Sequence, residues 1–247
     1  LLDYIEKLNP HDEEIALQKA SIASKNGDHS ASIAYLHKAL ELSEEPLEIW
    51  NLLGMEHLLA EEYEDAAYFF KNCVSDIPDD YSSLYNLLYC YEQLEKNEEA
   101  IQVLNEILEI DPYSEIAWHQ LGLVLLKKGL LKEALSAFDF AIISDDTFTG
   151  AYIEKAKLLE GLGRVNEAIS NYEIALNTND PSAFVYQSIG TCHEKLGNLE
   201  LARQFYLKAI HIEPSNAKSG ERVISFYTEQ GNFKQPKHYF KRALDVN

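Results

Sequence analysis

The chain has 247 residues, of which 41 are acidic and 21 basic, for a formal net charge of −20. Residues 1–124 hold 26 acidic and 6 basic side chains, whereas residues 125–247 hold 15 of each, so the imbalance lies entirely in the first half. This balance excludes nucleic acid as a partner and disfavours an anionic membrane surface, and a 46% hydrophobic content excludes a disordered chain.

The opening "LLDYIEKLNP" is acidic and periodic, unlike a signal peptide, and no apolar run reaches the length of a membrane span. Cys73, Cys90 and Cys192 are odd in number and have no metal-ligand spacing, which predicts buried, reduced thiols and a cytoplasmic protein, with an upstream targeting segment left open. With only 11 Gly and 7 Pro, and apolar residues recurring every three or four positions, the chain reads as helical throughout.

Taken in order, the elements repeat with a period of 34. Residues 1–12 read as the second helix of a truncated repeat ending near Pro10, so the chain is expected to begin inside a repeat. Seven units follow: 13–46, 47–80, 81–114, 115–148, 149–182, 183–216 and 217–247, in one repeat domain spanning 1–247. Ala66, Ala100, Ala134, Ala168 and Ala202 step by 34, as do Phe138, Tyr172, Tyr206 and Phe240. Trp50 and Trp118 lie two periods apart, and so do Gly54, Gly122 and Gly190. In the fourth unit the pattern predicts helices over 115–128 and about 132–144, broken by Gly129. Gly27, Gly163, Gly197 and Gly231 share that break, and Pro78, Pro112 and Pro214 end second helices. Leu88 and Ile224 depart from the small residue of the first helix. Lys19 and Lys155 stand at apolar places and are expected to snorkel. The last unit is the least regular, with Gly220 for an aromatic and Pro236 for the Ala of the second helix.

Trp50, Leu53, Gly54, Ala66, Phe70 and Pro78 meet the pattern W-x2-L-G-x2-Y…A-x3-F…P except at its Tyr, and Trp118, Leu121, Gly122, Ala134 and Phe138 meet it again. The chain therefore resembles the tetratricopeptide repeat family over essentially its whole length. The resemblance implies an all-α fold, a right-handed superhelical α-solenoid of antiparallel helix pairs, with first helices lining a concave side. It also implies which residues line that side: Asn51, Met55, Leu58 and Leu59 in the second unit, Tyr85, Tyr89 and Glu92 in the third, and His119, Leu123 and Leu126 in the fourth. The Lys/Asn clamp with which family co-chaperones hold a carboxylate is absent, since Leu17, Ser21, Tyr85 and Tyr89 occupy its places.

No phosphate loop, dinucleotide fingerprint, zinc-protease, nucleophile-elbow or Cys-x-x-Cys motif occurs, so no catalytic, metal or cofactor-binding residue is expected. His57 and His193 stand where the pattern has Tyr and read as packed, hydrogen-bonded residues. The leading expectation is a non-catalytic scaffold whose groove binds an amphipathic, basic peptide or protein segment. Two alternatives are a self-associating module, through the basic stretch 234–242, and the recruitment arm of an enzyme lying outside these residues.

Overall fold

The structure is a computed structural model and describes residues 9, 12–177 and 182–229. The helix expected over 1–12 falls almost wholly outside the described residues, as do Gly231, Pro236, Phe240 and the basic stretch 234–242. Among the described residues there are thirteen α-helices and no strand, an all-α fold of paired helices. The first helices are α1 (Glu13–Lys25), α3 (Leu47–Leu59), α5 (Tyr81–Gln93), α7 (Glu115–Lys127), α9 (Thr149–Gly161), α11 (Ala183–Lys195) and α13 (Ala217–Glu229). The second helices are α2 (His29–Leu42), α4 (Tyr63–Asp76), α6 (Asn97–Ile110), α8 (Leu131–Ser144), α10 (Val165–Leu176) and α12 (Leu199–Ile212). Each series starts anew every 34 residues. No helix among them is long and apolar enough to cross a membrane.

The chain divides into two compact units, Leu1–Pro112 with α1–α6 and Tyr113–Asn247 with α7–α13. Within each unit every helix packs on the next in sequence. The charge follows the division: residues 1–112 carry 25 acidic and 6 basic side chains, residues 113–247 carry 16 and 15.

Helix starts and stops follow from local chemistry. Asp12, Asp28, Asp80 and Ser114 accept hydrogen bonds from first-turn amides of the helices they precede. Each first helix from α1 to α11 ends in the same two-bond turn. In α7 the Leu130 amide donates to Leu125 and the Gly129 amide to Leu126, so the helix stops at Lys127 and α8 starts at Leu131. The turn needs one left-handed residue, and Gly27, Gly129, Gly163 and Gly197 supply it with φ of 75–76°. In the second and third units Glu61 (φ 60°) and Glu95 (φ 54°) are forced into the same conformation. A side chain with a Cβ is strained there. Glu61→Gly and Glu95→Gly are therefore expected to raise stability by about 1 kcal/mol each. Urea unfolding of the two variants measures this directly, and no gain would show that the strain is absent.

The two helices of a pair are brought together by size matching. A Cβ on Gly54 would sit 2.8 Å from the Phe70 ring, and one on Gly190 would sit 2.8 Å from Tyr206; Gly122 meets Phe138 more closely still. Phe70, Phe138 and Tyr172 are fully buried, the last opposite Ala156 in the same register. The third unit solves the problem differently: Leu88 takes the small place and Leu104 replaces the aromatic ring, both fully buried. There α5 and α6 run less closely side by side than any other described pair within a repeat. In the last described helix, Val223 and Tyr227 of α13 join Ala202, Tyr206 and Ile210 of α12 in one apolar cluster.

Candidate protein-interaction surface

The face of α3 that packs inward is set by Ile49, Leu53 and Gly54, all buried. A helical period then turns Met55 and Leu59 outward, and they are 37% and 53% exposed. Leu52 is also exposed, and Asn51 and Leu58 are half-buried. On α5 the inward residues are Ser83, Leu84, Leu87, Leu88 and Cys90, so Tyr89 points outward at 43% exposure, with Tyr85 and Glu92 half-buried. The two helices are linked at this face. The Asn86 amide of α5 donates to Met55 Sδ of α3 at 3.7 Å, while Tyr89 meets Tyr63 of α4 edge-on with centroids 6.2 Å apart. Seven of the ten residues singled out by the sequence thus lie in the first unit, where Met55, Leu59 and Tyr89 form an open apolar strip.

Next to it, a cleft of ≈180 Å³ runs between α1 and α3, lined by Leu17, Ser21, Ser24, Lys25, Leu52 and Glu56 among others. Glu56 is a feature the sequence analysis did not single out. Its residue is 7% exposed, and Oε2 lies 2.8 Å from Nδ1 of His29.

His119, Leu123 and Leu126 belong to the second unit and are half-buried there. The His119 ring lies 5.2 Å from Phe148, nearly perpendicular to it, and 5.9 Å from Phe138; its buried Nε2 has no hydrogen-bond partner. Burial lowers the imidazole pKa below its ordinary 6.5, opposed by Glu154 and aided by Lys157. Below 6.5 the unfolded chain binds a proton that the folded chain resists, so this group removes stability as pH falls through 6.5 toward the folded value. His119→Phe is expected to lose less stability than the parent between about pH 7.5 and about pH 5.5, as read by urea unfolding at each pH. An identical loss in both would reject the assignment.

The corresponding places of the later repeats are polar and already neutralised. Glu160 receives Lys195 at 2.8 Å and the Tyr172 hydroxyl at 3.4 Å. Glu194 receives the Tyr206 hydroxyl at 2.7 Å and Arg222 at 3.3 Å. Lys157 pairs with Glu154 at 2.7 Å and lies 4.9 Å over the Phe184 ring. Bonded to their neighbours, these groups offer little unsatisfied charge.

The other singled-out residues have structural surroundings. His57 is buried, stacks on Phe69 at 5.5 Å and bonds Glu62 at 2.7 Å through Nδ1, as expected of a packed, hydrogen-bonded residue. Asp65 adds a third ligand-type atom within 4.8 Å, but the hydrogen bond already accounts for the His57–Glu62 approach. His193 also packs, stacked on Phe205 at 5.4 Å, and its buried Nδ1 has no hydrogen-bond partner. Lys19 lies 5.4 Å over the Tyr35 ring, and Lys155 reaches Asp139 at 2.5 Å. The three cysteines are buried and free. Desolvation pushes Cys90 and Cys192 up to about 11 and raises Cys73, so the thiols are protonated and poor nucleophiles at neutral pH.

Tetratricopeptide repeat models match residues 17–74, 57–122 and 185–216. The chain belongs to the tetratricopeptide repeat family. Among curated proteins, it is 29% identical to protein FlbA of Caulobacter vibrioides over 162 residues, 64% of this chain and 27% of that protein. It is 26% identical to anaphase-promoting complex subunit 3 of Schizosaccharomyces pombe over 151 residues, 61% of this chain and 23% of the other. The match thus spans about a quarter of the length of either relative. Similar solved structures include MamA (23% identity, TM-score 0.63, 71% of this chain and 96% of that one). A tetratricopeptide repeat protein from Parabacteroides merdae aligns at 17% identity and TM-score 0.64 over 94% of this chain and 92% of that one. YrrB, described as having an unusual peptide-binding site, aligns at 21% and 0.56 over 71% and 91%. At these identities the structural likeness concerns the fold.

Proposed function

We propose that this tetratricopeptide repeat protein is a non-catalytic interaction scaffold whose first unit holds an amphipathic, basic segment of a partner protein. The observation that carries the reading is the open apolar strip of Met55, Leu59 and Tyr89 on a unit with 25 acidic and 6 basic side chains. Exposed aromatic and methionine side chains contribute affinity through buried area and adaptable packing. Surrounding carboxylates contribute encounter rate and choice of partner. The family context supports a scaffold: YrrB has a peptide-binding site, and one chain of the structure of Naa15/Naa10 bound to HypK-THB aligns with this fold over 35% of its length.

The test uses two labelled amphipathic peptides of matched length, one of leucine and lysine, the other of leucine and glutamate. Fluorescence anisotropy with the full chain should show binding of the lysine peptide alone. Its affinity should fall at least about tenfold between about 50 mM and about 500 mM salt, as exposed charges are screened. Equal binding of both peptides, or affinity insensitive to salt, would reject the basic character of the partner.

A further inference from the structure

We propose that the cleft between α1 and α3 is a subsite for the cation of one lysine or arginine in the bound segment, and that Glu56 selects it. The inference rests on the docking reading above and adds where the segment's charge is read.

Packing does not call for a carboxylate at this place. The residues in the same register of the later first helices are Cys90, Val124, Leu158 and Cys192, all buried, and Phe226, half-buried; none of them is charged. Burying a carboxylate is unfavourable unless charge and hydrogen bonds compensate it. His29 supplies one bond, to Oε2, and Glu56 is also part of the cleft wall. The carboxylate is therefore held from one side by His29 and approachable from the cleft on the other.

The cleft suits the end of a long basic side chain. Its ≈180 Å³ has room for several waters, and so for an ammonium or guanidinium group. Leu17 and Leu52 can pack the aliphatic stem, and the hydroxyls of Ser21 and Ser24 can accept from the cation. A charge pair formed there, away from bulk water, is stronger than one on the open surface. Lys25, exposed at the end of α1, also borders the cleft. It is a competing cation, and it makes the two classes of occupant distinguishable. Removing it favours a basic side chain and disfavours an acidic one.

The experiment measures anisotropy of the leucine–lysine peptide and of analogues in which each lysine in turn is norleucine. With the parent protein, one norleucine position should stand out, weakening binding about tenfold or more, the size expected for a charge-assisted hydrogen bond. In Glu56→Gln, which keeps an acceptor for His29, the lysine peptide should weaken by a similar factor and that position should cease to stand out. Lys25→Ala should tighten the lysine peptide. Binding that is unchanged in Glu56→Gln but lost in Met55→Asp overturns the subsite and leaves the docking surface standing. Weaker binding of the lysine peptide in Lys25→Ala overturns it in favour of an acidic occupant, whether or not Glu56→Gln folds well. No binding to the parent overturns both readings.

Discussion

Gly122→Leu is expected to destabilise the second unit by about 3 kcal/mol or more, seen as a fall of about 10 °C in its thermal midpoint. Even a single Cβ at this place runs into the ring of Phe138, which is fully buried and has no space to retreat into. The helix-propensity gain of leaving glycine is only about 1 kcal/mol and cannot offset the overlap. The third unit shows how the clash is relieved, because Leu88 coexists there with Leu104 instead of an aromatic ring. Adding Phe138→Leu to Gly122→Leu should therefore recover more than half of the loss, although Phe138→Leu alone leaves a cavity and costs about 1–2 kcal/mol. The double variant being more stable than Gly122→Leu alone is the sign to look for. Gly161→Ala is the control: nothing lies within 4 Å of its Cβ, so a gain of a few tenths of a kcal/mol is expected. If Gly122→Leu melts with the parent, size matching is not what holds these helix pairs together.

Met55→Asp is expected to weaken the leucine–lysine peptide about thirtyfold, or about 2 kcal/mol, with the thermal midpoint unchanged. Met55 is exposed, and its sulfur takes one weak bond from Asn86, so the fold has little to lose. A bound segment would have to strip water from the new carboxylate in the middle of an apolar strip. The added charge would attract a basic peptide, so a loss of affinity would show that apolar contact outweighs electrostatics at this point. Tyr89→Ala should lose about tenfold, as buried aromatic area is removed. Lys157→Ala, on the paired polar face of the second unit, should change binding less than about twofold. Full affinity in both Met55→Asp and Tyr89→Ala would show that the strip is not the docking surface.

Much of this was legible in the residue order. The series from Ala66 to Ala202, and the Gly54, Gly122 and Gly190 set, mark close helix approach. A glycine or alanine opposite a ring is a steric requirement that stays in place at constant spacing. Gly27, Gly129, Gly163 and Gly197 marked the turns for an equally local reason. The same argument passed over the second and third units, where Glu61 and Glu95 make the left-handed turn. The hydrogen bonds on either side of the turn impose the conformation there, whatever the propensity of the residue. Met55, Leu59 and Tyr89 were legible only as places that the family resemblance assigns to the concave side, and all three are exposed. Glu56 was not, because a glutamate in an acidic stretch looks like solvated surface until His29, 27 positions earlier, is seen beside it.

Residue order alone therefore settled the period, the pairing of helices and the small residues at their close approach. All three follow from contacts within a helix or between neighbouring helices, where spacing along the chain is a fair proxy for distance. Only the folded molecule decided that the chain parts into two units between Pro112 and Tyr113. It also decided which carboxylates are answered from the next repeat, as Glu160 is by Lys195, 35 positions on. Those outcomes depend on how side chains from successive repeats meet in space, and a period that treats every repeat alike carries no information about that.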